Sequence, residues 1–191
     1  MRATGQKTQD CTGRRGLTVL TKTMLTSHEM FGFMSPALAG DILDFTHEAD
    51  RPLYRATLNA VAELRKLRPV FLERQPKPQR QATMLAALSR PALDPAAGNL
   101  IRGWLVKKHS AMLGQFLDAL AIKHEKGVVE DLPASVDDTK LKAAVDGLLA
   151  SHPPEAVALY LLAFHEMNEA NWPNLKAMLE TDPRLQLGAH A

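Results

Sequence analysis

Four of the seven histidines are followed directly by a glutamate, and this pair begins the helical zinc motif of metalloproteases. The motif requires a second histidine three residues after the glutamate, so that two imidazoles on one helical face bind the ion. In the four cases that place is taken by Gly32, Arg51, Val128 and Glu169. The sequence therefore argues against a zinc protease.

A different metal site could form from histidines and carboxylates that share helical faces. Steps of three and four residues place Asp44, His47 and Glu48 on one face of a predicted helix, and a step of four places His165 and Glu169 on one face of another. Two such helices facing each other could hold a metal ion, as carboxylate-bridged bundles do, although those bundles use a Glu-x-x-His pattern that this sequence lacks. A solvated acidic face is the simpler interpretation. A metal-dependent or small-ligand-binding helical-bundle enzyme is our second alternative function.

Other catalytic patterns are missing from the sequence. It contains no G-x-S-x-G nucleophile elbow, no phosphate-binding P-loop and no dinucleotide-binding glycine turn. We therefore assign no catalytic residues, expect no cofactor and interpret the protein as non-catalytic.

Five basic side chains form a candidate nucleic-acid surface. Residues 51–90 carry nine Lys or Arg and two acids, whereas residues 24–50 carry five acids and no Lys or Arg. The candidate residues are Arg51, Arg55, Arg65, Lys66 and Arg68. The first four fall within an arc of about 100° on a helical wheel, and such a stripe could contact phosphates. Nucleic-acid binding is our first alternative; the competing interpretation is a solvated face balanced by the acids of residues 24–50.

An apolar hook precedes the first helix that opens with a proline. It consists of Met30, Phe31, Phe33 and Met34. Such a hook can pack on its own core or on a second copy, because methionine adapts to irregular surfaces. Our leading hypothesis is a non-catalytic helical protein–protein interaction module that self-associates, with the hook as the interface of a homodimer.

The composition predicts the elements that must position these side chains. The chain has 191 residues, with 29 Leu and 27 Ala against 9 Val and 3 Ile, which favours helices over strands. No repeat of 20–50 residues is evident, so a solenoid is not favoured. We expect residues 24–191 to form a single all-α domain, a globular bundle of about seven or eight helices.

Local signals predict where several helices begin and end. Ser35 is an expected N-cap, helices are expected to open at Asp50 and at Asp137, and the helix after Asp50 is expected to reach about residue 71 with a bend near Pro69. A helical pattern over residues 96–124, with a break before Ser110, is expected to end with Gly127 just beyond it. The helix predicted over residues 156–169 is apolar nearly all round in its first half, which places it in the centre of the bundle.

The first 23 residues differ from the rest, with hardly any apolar periodicity. We expect residues 1–23 to be disordered, and Met24 is a possible native start that would make them an extension. The single cysteine, Cys11, allows no intrachain disulfide, and no secretory signal is recognisable. The longest apolar run has nine residues, too short for a bilayer. These observations predict a soluble, cytoplasmic protein with no membrane partner.

Overall fold

Ten α-helices and two short 3-10 helices form within residues 25–167 and 172–188, the parts of the chain that the computed structural model describes. The α-helices are α1 (Ser27–Phe33), α2 (Pro36–Ala49), α3 (Arg51–Leu64), α4 (Pro69–Glu73), α5 (Lys77–Leu88), α6 (Asp94–Lys108), α7 (Ser110–Ala119), α8 (Asp138–Ser151), α9 (Pro154–Met167) and α10 (Pro173–Thr181). The 3-10 helices are Pro91–Leu93 and Pro183–Leu185. The predicted all-α class is confirmed. The predicted disordered tail, residues 1–23, lies outside the described residues.

Side-chain caps form at three helix starts that the sequence predicts. The Ser35 hydroxyl accepts a hydrogen bond from the Leu38 backbone N–H at 3.1 Å, at the start of α2. Asp50 and Asp137 begin α3 and α8 in the same way, with carboxylate–N–H distances of 3.3 and 3.0 Å. Each cap satisfies a backbone donor that the helix itself leaves unpaired. These three starts are therefore confirmed.

The helix count exceeds the expected seven or eight because two short helices were not anticipated. Three residues of the apolar hook belong to α1, and the fourth, Met34, caps its C-terminus. The helix predicted to reach residue 71 ends at Leu64, and Pro69 opens the separate helix α4. The predicted bend is thus a complete interruption.

One connected cluster of buried hydrophobic side chains joins the helices. Helix α6 packs against α1, α2 and α3, while α9 packs against α6, α8 and α10. Nine residues of α9 are buried, which confirms its predicted central position. Both tryptophans belong to this core, and the Trp104 indole N–H donates to the Asp41 carboxylate at 2.9 Å.

The predicted end of the helical region after α6 is wrong. The pattern does break before Ser110, but α7 ends at Ala119 rather than near residue 124. Gly127 (φ +86°) does not end a helix; it lies beside Lys126 (φ 51°) in a two-residue turn. The flanking residues exchange two backbone hydrogen bonds of 2.9 and 3.0 Å across this turn. Two successive positive φ angles are typical of the tight turns that favour glycine.

The end of α7 allows a stability prediction. Ile122 N–H bonds to the Leu117 carbonyl at 2.9 Å, so the chain reverses through Ala121 at φ 56°, a left-handed conformation that suits glycine. We expect Ala121→Gly to raise the free energy of unfolding by about 0.5–1 kcal/mol. Ala143→Gly, at an exposed site inside α8, should lower it by about 1 kcal/mol. Urea denaturation of both variants checks this, and a loss of stability in Ala121→Gly would contradict it.

Candidate functional site

The proposed metal ligands do not come together in the part of the chain that the structure describes. The Asp44 carboxylate accepts a hydrogen bond from Gln81 at 2.9 Å and pairs with Lys77 at 2.8 Å. His165 lies buried in α9, whereas α2 packs on α3, α5 and α6. No three His, Cys, Asp or Glu side chains of the described residues are grouped as metal ligands would be. The metal hypothesis drawn from the sequence therefore has no support here.

The other three members of that set add nothing to it. His47 packs edge-on against the Tyr54 ring at 4.7 Å between centroids, and its Nε2 lies 3.1 Å from the Arg51 guanidinium. Glu48 is exposed, and Glu169 lies outside the described residues.

The apolar hook is mostly part of the protein's own core. Met30, Phe31 and Met34 are buried, because α1 packs against α5 and α6. Only Phe33 is exposed. The expected homodimer interface through the hook is therefore corrected: three of its four residues are inaccessible to a second copy.

The acids of residues 24–50 do pair with basic residues, but mainly with lysines outside the candidate nucleic-acid stripe. Asp50 pairs with Lys107 at 2.5 Å, and Asp41 pairs with Lys108 at 2.6 Å. Both lysines belong to α6, and a third acid, Asp44, pairs with Lys77 of α5. The five candidate residues of the stripe are all exposed, and none pairs with a carboxylate of the described residues. The acids of residues 24–50 therefore do not balance the charge of the stripe, as a solvated face with paired charges would require.

The strongest concentration of this unbalanced charge lies where α3 gives way to α4. Residues 65–74, which we call the basic corner, carry four exposed cations and one acid. The cations are Arg65, Lys66, Arg68 and Arg74. Between them lie Leu67, Val70 and Phe71, whose side chains are 37%, 49% and 58% exposed. Exposed apolar area with a polar rim is typical of contact sites, which makes the basic corner a candidate for one.

Backbone geometry turns these apolar side chains outward. Lys66 adopts φ 54°, and the next N–H bonds back to the Ala62 carbonyl at 2.8 Å, which ends α3 abruptly. Leu72 is fully buried and holds α4 on the core. The Arg80 guanidinium donates to the Glu73 carbonyl at 3.0 Å and fixes the far end of α4. The basic corner is therefore held by the fold at both ends.

A second unusual surface lies between α7 and α8. Residues 128–138, which we call the acidic connector, carry four exposed acids and no Lys or Arg. The acids are Glu130, Asp131, Asp137 and Asp138. None forms an ion pair with a described residue, although Asp138 accepts a hydrogen bond from Asn174 at 2.8 Å. The Trp172 indole N–H also donates to the Pro133 carbonyl at 2.8 Å, so the acidic connector is tied to the start of α10.

Exposed apolar side chains single out the same two surfaces. Five large hydrophobic side chains are exposed among the described residues. Three belong to the basic corner, and a fourth, Val128, begins the acidic connector at 52% exposure. Only Phe33 lies elsewhere. The basic corner and the acidic connector thus carry opposite charges, and each also exposes at least one large apolar side chain.

The sequence predicts most of the cations of the basic corner, but it does not predict that apolar side chains are exposed between them. Leu67 and Phe71 continue the apolar spacing of α3, and the sequence therefore predicts that both lie on its buried side. The Arg68-Pro69 pair was the available signal, because a residue before proline avoids helical conformation. Once the helix is interrupted there, the spacing no longer determines which side faces the core.

Comparison of the chain with protein-family models, with curated proteins and with solved structures found no match. Among the described residues, no helix combines the length and the apolarity needed to cross a bilayer. The basic corner and the acidic connector are therefore the features of the described residues that bear on function.

Proposed function

We propose that this protein is a non-catalytic interaction module that self-associates by docking the basic corner of one copy on the acidic connector of another. One observation carries the proposal: two surfaces of opposite charge, which form no ion pair with another described residue, hold four of the five exposed large apolar side chains among the described residues. The net charge is +3 for residues 65–74 and −4 for residues 128–138. Such complementarity steers association and sets its register.

The make-up of the basic corner favours a protein partner. Protein interfaces combine an apolar centre with a polar rim and are enriched in aromatic residues and arginine. Phe71 supplies the aromatic centre, and arginines lie on both sides of it. A phosphate backbone would use the cations alone, and only Phe71 could stack on a base. Leu67 and Val70 would have no role in nucleic-acid binding.

The arrangement of the two surfaces determines what assemblies can form. If each copy offers its basic corner and its acidic connector to the same neighbour, the product is a closed twofold dimer. If it offers them to different neighbours, the product is a ring or an open chain. Both arrangements are self-association, and the sedimentation coefficient distinguishes them.

Phe71→Ala tests the apolar centre of the basic corner. We expect it to weaken self-association about tenfold or more, because truncating a central aromatic side chain removes an interface anchor. Since Phe71 is exposed, the variant should unfold at the same temperature as the wild type. Sedimentation velocity over a range of protein concentrations measures the association.

Phe33→Ala is the matched control, because Phe33 is exposed to nearly the same extent, 57% against 58%. It lies at the end of α1, outside both surfaces, and its replacement should leave association unchanged. A monomeric wild type at millimolar concentration and low salt would overturn the proposal. A weakening by Phe33→Ala but not by Phe71→Ala would contradict it and point to the hook.

A further inference from the structure

The acidic connector lines a groove of about 990 Å³. The lining combines apolar side chains, among them Val128 and Val136, with three carboxylates of the connector. Glu125 and three lysines outside the connector also line it. This volume is at the upper end of the range for small-molecule sites, about 300–1,000 Å³, so the groove has room for several side chains of a peptide.

The described part of the chain begins close to this groove. Ser27, at the start of α1, donates to the Glu166 carboxylate of α9 at 3.3 Å. Ser27 and Met167 lie 3.0 and 3.9 Å from a Cβ built at Gly98 of α6, so they are neighbours. Met167 in turn lines one cleft together with Val128, where the acidic connector begins. The residues that precede α1 therefore join the fold at the end of α9 that meets the acidic connector.

The carboxylates beside the start of α1 already have partners. Glu29 completes the capping box of α1, and Asp94 accepts from the His28 backbone N–H at 2.9 Å and lies 2.7 Å from the His28 ring. In contrast, the four acids of the acidic connector form no ion pair with a described residue. The acidic connector is thus a surface of unbalanced negative charge near the start of α1.

The residues that precede α1 carry the complementary charge. Residues 1–24, which lie outside the described residues, have five basic side chains and one acid, a net charge of +4 against −4 for residues 128–138. Residues 14–22, which we call the N-terminal basic segment, contain three cations and no acid. Complementary charge of this size favours contact between the two parts of the chain.

The N-terminal basic segment also repeats a pattern of the basic corner. In the basic corner, the cation pair Arg65-Lys66 is followed five positions later by Val70-Phe71. In the N-terminal basic segment, Arg14-Arg15 is followed at the same distance by Val19-Leu20. The eleven residues 14–24 can span roughly 35–40 Å when extended, which gives the segment a long reach from α1.

We infer that the N-terminal basic segment docks on the acidic connector of its own chain and competes there with the basic corner of a second copy. The inference rests on the proposed function, because it describes how that docking is regulated. Arg14 and Arg15 contact the carboxylates of the connector, and the side chains of Val19 and Leu20 enter the groove.

The tether determines how strong the competition is. A group joined through a short stretch of chain meets its site at an effective concentration of about 1 mM. An internal contact with a Kd of about 0.1–1 mM then weakens association between copies by about two- to tenfold, because only the uncovered fraction of acidic connectors can bind.

Charge reversal in the N-terminal basic segment tests the competition. Arg14→Glu, Arg15→Glu, Lys22→Glu changes the net charge of residues 1–24 from +4 to −2 and should strengthen self-association about two- to tenfold by sedimentation velocity at low salt. The matched control is Arg55→Glu, Arg90→Glu, Lys176→Glu, which makes the same change in total charge and should not strengthen it. Unchanged or weaker association of the first variant would overturn the inference.

A spin label tests the internal contact separately from association. Cys11 is the only cysteine, so a nitroxide can be attached there alone, in the Phe71→Ala background at a concentration where it is monomeric. The amide signals of residues 128–138 should broaden to the same extent on further dilution. The broadening should disappear when Arg14, Arg15 and Lys22 are replaced by Glu.

The two experiments distinguish a failure of the inference from a failure of the proposed function. Absence of broadening would overturn the internal contact, whether or not the wild type associates. A wild type that never associates while the broadening persists would contradict the docking between copies and the competition for it, and the contact within the chain would stand.

Discussion

Gly127→Ala is expected to lower the free energy of unfolding by about 2–4 kcal/mol. Gly127 has φ +86°, where a side chain is strained, and a Cβ built there would lie 2.5 Å from the Leu113 Cβ. The atom it meets is attached to the backbone of α7 and cannot swing aside. The turn or the end of α7 must therefore shift. Urea denaturation followed by circular dichroism measures the loss.

Lys126→Gly is the control for that substitution. Lys126 adopts φ 51° in the same turn but is exposed, so glycine removes strain there without leaving a cavity. We expect stability to rise by about 0.5 kcal/mol. If Gly127→Ala remained within about 0.5 kcal/mol of the wild type, the ordinary range for surface substitutions, the turn could not have this geometry.

Charge reversal in the basic corner is expected to abolish self-association. The variant Arg65→Glu, Arg68→Glu, Arg74→Glu changes the net charge of residues 65–74 from +3 to −3. The basic corner would then face an acidic connector of −4, and like charges across an interface cost several kcal/mol. We expect at least a hundredfold loss of association by sedimentation velocity at low salt. In the wild type, added salt should weaken association, because it screens exposed charges.

A matched variant separates local charge from total charge. Arg55→Glu, Arg90→Glu, Lys176→Glu makes the same change in net charge at exposed cations outside the basic corner. It should associate nearly as the wild type does. Equal losses in the two triple variants would mean that net charge alone governs association, contrary to the docking proposed here.

Local signals in the sequence predicted much of the fold. Ser35, Asp50 and Asp137 mark helix starts because each cap uses only its own side chain and a backbone N–H three residues later. The apolar composition of α9 predicted its central position, because a helix without a polar face would expose apolar side chains to water on any side that is not buried. Such features need no knowledge of distant parts of the chain.

The features that failed depend on long-range packing. Nothing local in the hook shows whether Met30 and Phe31 meet α6 or a second copy, and the structure places them in the core. Helical spacing predicts that Phe71 faces the interior, because spacing alone does not show that the helix is interrupted at Lys66. Gly127 suits the end of a helix and a tight turn equally well, so its residue type alone could not decide between them.

The role proposed for the acidic connector could not be predicted at all. The acidic connector was visible as charge but carried no sign of a partner. Asp41, Asp44 and Asp50 pair with lysines outside the basic corner, so these acids do not balance its charge.

Mixing two charge-reversed variants tests the central claim most directly. The first variant is Arg65→Glu, Arg68→Glu, Arg74→Glu; the second is Glu130→Lys, Asp131→Lys, Asp138→Lys, which changes the net charge of residues 128–138 from −4 to +2. Each variant alone should sediment as a monomer, since its two surfaces then carry charge of the same sign. In the mixture every contact is again between opposite charges, and the account predicts a complex containing both variants. A mixture in which both stay monomeric, under conditions where the wild type associates, would contradict the docking of the basic corner on the acidic connector.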